Sequence, residues 1–207
     1  GNLAGTEEGV ARASEIFDDL GDSIGASWSR GLLAFVRFAQ GRLEEAEALA
    51  TPVLEVAGGH GDRWATAMMR GLVASLRLWA GEVDAALEHT AVATQAFRDL
   101  GDPWGLSLTL STHGRALAMA GRVDDGFNAV AEAVAVSRSP QRTGGVGEMG
   151  LLALAVQVGE PERAGPALAT MERPDAGGAM VLAERDATTA LAHLQRGDAS
   201  VDFDPGG

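Results

Sequence analysis

The sequence predicts an all-α fold, a right-handed α-α superhelix of about ten antiparallel helices in repeats of about 40 residues. Three observations carry that expectation. Glycine-aspartate pairs recur at a spacing of 40, at Gly21-Asp22, Gly61-Asp62 and Gly101-Asp102, and a second glycine recurs in the same register at Gly41, Gly81 and Gly121. Between these corners the apolar residues follow helical spacing, with Trp28, Leu32, Phe35 and Ala39 on one face. Strand signals are missing, since no period-two alternation lasts beyond a few residues and no Asn-Gly or Asp-Gly turn joins two apolar runs.

Each repeat reads as two helices. Residues 21–60 and 61–100 share nine identities, and 61–100 and 101–140 share ten. The matching positions include the glycine corners and the small residues Ala34/Ala74/Gly114 and Ala46/Ala86/Gly126. The first helix of a unit, about 22–40 in the first repeat, opens at Asp22, Asp62 or Asp102, where a carboxylate can cap free amides; Pro103 follows at the position that tolerates proline best. Gly41, Gly81 and Gly121 end it. Second helices are expected over 43–57, 83–99 and 123–138, with Glu44, Glu45, Glu47, Asp124 and Asp125 near their positive ends. Pro52 and Pro166 fall where a helix should continue and are expected to bend or shorten it, at ~3 kcal/mol for an interior proline.

The register also reads the ends. Residues 7–20 match a second helix, with Phe17-Asp18-Asp19-Leu20 against Phe97-Arg98-Asp99-Leu100. A degenerate fourth unit covers 141–176, turning at Gly159, and 178–195 resemble one more first helix. The expected organisation is one repeat domain over 1–198, with units 21–60, 61–100, 101–140 and 141–176, and a linker or tail over 199–207. The chain starts and stops in mid-repeat, as a piece of a longer protein would. Terminal repeats without neighbours expose the face meant for them. Val10, Ile16 and Phe17 at one end, and residues 180–194 at the other, are therefore expected to support a homodimer.

Composition narrows the function. At 207 residues and 46% hydrophobic, the chain is long and apolar enough to bury a core. No stretch approaches the ~20 apolar residues of a membrane-spanning helix. No cysteine is present, which excludes disulfides and thiolate chemistry. A net charge of −13 argues against direct nucleic-acid binding, which needs a basic face.

Little points to catalysis, and the expectation is no enzyme, no cofactor and no metal. His60, His89, His113 and His193 share no metal-ligand spacing; His89 is expected on a solvent face and His113 in the core slot of Leu33 and Val73. Gly145, Gly147 and Gly150 match Gly-x-Gly-x-x-Gly, but the segment before them reads as a helix end, so an inter-repeat loop is expected instead of a phosphate cradle. Arg30 and Arg70 are repeat-equivalent, as are Arg37 and Arg77, and within each helix the two arginines, Arg30 with Arg37 and Arg70 with Arg77, lie two turns apart on one face. Stacked repeats would align the four as a basic clamp for a carboxylate or acidic peptide, unless neighbouring acids pair with them.

The separations among Ala34/Ala74/Gly114, Gly41/Gly81/Gly121 and Ala46/Ala86/Gly126 resemble those of the tetratricopeptide repeat. The Leu-Gly-Asp corners, Leu20-Gly21-Asp22 and Leu100-Gly101-Asp102, resemble those in the helical arms of large bacterial signal-transduction ATPases and transcriptional regulators. The resemblance implies a non-catalytic scaffold for protein–protein interaction within a larger cytoplasmic regulatory protein. Its partner would be a protein or peptide, or another domain of the parent chain. The tetratricopeptide register would turn Trp28, Phe35, Phe38, Met68, Ser75, Leu78, Leu108 and Arg115 toward the concave groove, with Trp64 and Trp104 at the mouth between repeats. The alternative is a domain that senses a small molecule or peptide in that groove, and a third reading is a purely architectural spacer.

Overall fold

The structure, a computed structural model, describes residues 3–138, 145–165, 167, 191, 192 and 195. These residues are all-α: α1 (Leu3–Asp19), α2 (Ser23–Ala39), α3 (Leu43–His60), α4 (Arg63–Trp79), α5 (Val83–Leu100), α6 (Pro103–Met119), α7 (Val123–Ser137) and α8 (Val146–Val158). A 3-10 turn follows at Pro161–Ala164. Helices α1 to α7 start at the positions set by the 40-residue register, and α8 starts three residues past its own. Most of 178–195, and Pro166, lie outside the described residues. The chain divides into two compact units, Gly1–Gly105 and Leu106–Gly207, with the division inside α6.

Local chemistry explains the helix ends. Asp22 Oδ1 accepts from the amides of Ile24 and Gly25 at 3.1 and 2.9 Å, and Asp62 Oδ1 accepts from Ala65 N at 2.9 Å. Asp102 Oδ1 does the same for Trp104 and Gly105 at 2.9 and 3.2 Å. Each satisfies donors that a helix start leaves open. The corners close with paired backbone bonds, such as Gly61 N to Gly58 O at 3.2 Å and Asp62 N to Ala57 O at 3.0 Å. That closure places Gly61 at φ 72°, a left-handed backbone that other residues resist.

In the first unit α1 to α5 pack consecutively, each against the next. Ala34, Ala46, Ala74 and Ala86 are fully buried, as is Phe97. Three joints between a second helix and the following first helix show how the repeat adjusts its volume. A Cβ on Gly25 would lie 2.4 Å from the Phe17 ring, and one on Gly105 would lie 2.3 Å from the Phe97 ring. At the intervening joint the equivalent positions are Ala57 and Ala65. A large ring faces no side chain at all, and where the ring is lost a methyl appears opposite.

Pro52 does not shorten its helix. Helix α3 runs unbroken through it for 18 residues. Proline removes the bond to the carbonyl four residues back, and both Pro52 and Ala48 are exposed, so water can serve that carbonyl.

In the second unit α6, α7 and α8 surround a core of Phe127, Val130, Leu152, Leu154 and Ala155. The expected loop at Gly145–Gly150 is a correction as well. Gly145 precedes α8 at φ 79°, while Gly147 and Gly150 lie inside the helix. A Cβ on Gly147 would fall 2.5 Å from the Ala133 backbone, and one on Gly150 would fall 2.2 Å from Ser111 Oγ. These glycines let helices approach each other.

Candidate functional site

Helix α2 presents an apolar ridge. Ile24, Trp28 and Leu32 follow one another at four-residue spacing and are 53, 40 and 53% exposed, with Leu20 exposed at the corner below. The same three positions of α4 are half-buried Trp64, buried Met68 and buried Leu72. Trp28 stacks on Trp64, with ring centroids 5.1 Å apart and planes 8° from parallel. Both indoles donate to the caps of later helices: Trp28 Nε1 to Asp62 Oδ2 at 3.2 Å, and Trp64 Nε1 to Asp102 Oδ2 at 2.8 Å. One oxygen of each cap thus starts its own helix while the other holds a tryptophan from the repeat before.

A solvent-open cleft lies beside this stack, lined by Ile24 and Trp28 of α2, Val53, Val56 and Ala57 of α3, and Ala65 of α4, with Ser27, His60 and Asp62. Its walls are largely aliphatic and aromatic.

The residues assigned to the groove separate by burial. Trp28 is exposed, and Phe35, Phe38 and Ser75 are half-buried. Met68 and Leu78, each 5% exposed, are core residues, which corrects their assignment to an open groove. Equivalent positions thus differ in burial although α2 packs against α1, α3 and α4, and α4 against α2, α3 and α5. In the second unit Leu108 is half-buried, and Arg115 Nε donates to Gln157 Oε1 at 3.1 Å.

The four arginines are not four open cations. Arg30 forks onto Asp18 at 2.8 and 2.6 Å. Arg37 pairs with Glu7 and reaches Glu45 at 3.4 Å, while Arg77 pairs with Glu47 and reaches Glu82 at 3.2 Å. Glu7 and Glu47 are themselves 40 residues apart, so this pair is part of the repeat; in the next repeat both positions are leucine, Leu87 and Leu117. Arg70 differs, having no carboxylate partner among the described residues. The position equivalent to Asp18 is Gly58.

Arg37 and Gln40 hydrogen-bond the Glu7 carboxylate, and Arg42 adds charge, which holds its pKa at about 2 against a usual 4.5. The contribution of Glu7 is therefore complete above pH 4.5 and disappears as pH falls toward 2. Chemical denaturation between pH 5 and 2 should show a shallower acid loss for Glu7→Gln than for the wild type. Equal acid slopes would show that the pair contributes nothing.

Among the histidines, His89 is half-buried, not on a solvent face. Its Nδ1 is buried without a hydrogen-bond partner, and burial, followed by the charge of Arg70, depresses its pKa. His60 is exposed, His113 is half-buried, and His193 lies outside the described residues. Glu148 is a buried carboxylate, 3% exposed, that the sequence did not single out. It accepts from Arg138 Nε at 2.9 Å and Ser137 Oγ at 3.2 Å, tying the end of α7 to the start of α8. No three His, Asp or Glu side chains among the described residues gather as a metal site. No described helix is long and apolar enough to cross a membrane. Of the terminal residues, Ile16 is 50% exposed, but Phe17 packs against Gly25 and is not left without a partner.

No protein-family model matches the sequence. No curated protein matches it. Among solved structures, the chain is similar to BtubC (BKLC) from P. vanneervenii, with a TM-score of 0.63 and 18% identity over 96% of this chain and 85% of that one. At that identity the likeness speaks for the helical-repeat-like fold alone.

Proposed function

We propose that this chain is a non-catalytic helical-repeat scaffold for protein–protein interaction, of the tetratricopeptide-like kind, working within a cytoplasmic regulatory protein. The observation that carries the reading is the exposed ridge of α2, where three large apolar side chains stand in line on a helix braced from behind by α3 and α4. A contiguous apolar surface on a rigid element is what a protein partner covers. The Leu-Gly-Asp corners support the placement in a regulatory protein.

The test is crosslinking capture from extracts of the source organism with the wild type and with Leu20→Ser/Leu32→Ser. Both changed side chains are more than half exposed, so helical dichroism should be unchanged. A partner held by the wild type and released by the variant is the expected result. A partner set that the two share in full would remove the ridge from the function.

A further inference from the structure

The repeat register exposes an omission at the α3–α4 joint. At the α1–α2 joint the chain supplies two neighbouring groups from α1: the Phe17 ring, packed over Gly25, and the Asp18 carboxylate, forked onto Arg30. Forty residues later these positions read Ala57-Gly58, so ring and carboxylate are both lost, while the arginine is kept as Arg70. The open cleft lies at this joint, with Ala57 and Ala65 in its wall. At the α5–α6 joint the ring returns as Phe97, fully buried over Gly105.

We propose that the α3–α4 joint is a docking site for a partner segment that presents an aromatic side chain beside a carboxylate, replacing in trans what Phe17-Asp18 provides in cis. The ring enters the cleft between Trp28, Val53 and Val56, displaced outward from the Phe17 position by the Ala65 methyl. The carboxylate pairs with Arg70. Repeat equivalence selects an acid: Arg70 keeps the place of Arg30 as a half-buried guanidinium with no acidic partner among the described residues, whereas the carboxylate in the cleft lining, Asp62, is already engaged by the Trp28 indole and the Ala65 amide. The proposal rests on the scaffold reading, and names the chemistry of one partner segment.

The probe is the peptide acetyl-Ala-Phe-Asp-Ala-amide, titrated into the full chain by calorimetry and by tryptophan fluorescence, since Trp28 lines the cleft. Saturable binding is expected, weakened about tenfold or more when the peptide carries Asn for Asp or Ala for Phe. Arg70→Gln should lose the preference for Asp over Asn while still preferring Phe. The triple variant Ala57→Phe/Gly58→Asp/Ala65→Gly rebuilds the α1–α2 arrangement, so it should fold with unchanged helical dichroism and bind no peptide. Non-saturable binding by the wild type, or undiminished binding by a folded triple variant, would overturn the proposal. So would a wild-type chain that sediments as a dimer beside a monomeric triple variant, because the occupant would then be a second copy. Loss of peptide binding with ridge-dependent capture intact defeats this site alone; loss of both defeats the scaffold reading.

Discussion

Phe97→Ala is expected to lower the unfolding free energy by about 3–5 kcal/mol, the usual loss for a buried aromatic ring. The ring is fully buried and lies over Gly105, where even a methyl would come within 2.3 Å. Gly105→Ala alone should also destabilise, by about 1–3 kcal/mol, through overpacking. The informative variant combines them. Phe97→Ala/Gly105→Ala copies the natural Ala57/Ala65 joint, so its loss should be smaller than the sum of the two single losses by at least about 1 kcal/mol. Urea denaturation of the four proteins gives the cycle. Strict additivity would show that ring and glycine are not a coupled pair.

Gly114→Ala should destabilise by about 1–3 kcal/mol even though alanine is the better helix former by about 1 kcal/mol. A Cβ on Gly114 would stand 2.6 Å from the Gly126 carbonyl oxygen and 2.5 Å from Val130 Cγ2, and one on Gly126 would stand 2.6 Å from the Gly114 oxygen. The obstacle is backbone, so α6 and α7 would have to move apart. Gly9 in α1 is the control, because a methyl there meets nothing within 4 Å. Gly9→Ala should stabilise by about 0.5–1 kcal/mol. Thermal melts of the two variants moving in the same direction would contradict this account of the crossing.

The parts of the fold set by chemistry within a few residues were legible in the sequence. Asp22, Asp62 and Asp102 cap helices, and the glycines of the corners take the left-handed backbone, because both effects need only the local chain. What depends on a neighbouring helix was harder to read. Trp28 and Met68 share one repeat position, yet the first is exposed and the second buried, a difference set by the packing around each helix and not by the repeat pattern. The pairing of the arginines likewise depends on neighbouring helices. Whether Arg30 and Arg70 are free depends on Asp18 and Gly58, twelve residues earlier and on another helix. Glu148 was hidden inside a glycine pattern, and only the packing of α7 on α8 gives it partners. One tertiary signal does show in the sequence: between repeats, Phe17 and Gly25 are exchanged together for Ala57 and Ala65.

The carboxylates of Asp62 and Asp102 have a consequence for how order spreads along the first unit. Starting a helix is the costly step of forming one. The group that eases that start for α4 is oriented by an indole from α2, and the group that eases it for α6 is oriented by an indole from α4. The starts of α4 and α6 are therefore coupled to the first helix of the repeat before, and since coupling is reciprocal each of the two linked helices steadies the other. In a linear array of coupled elements, such links raise cooperativity without enlarging the core. Loss of Trp28 would then loosen the first turn of α4, a whole repeat away in sequence, as well as α2.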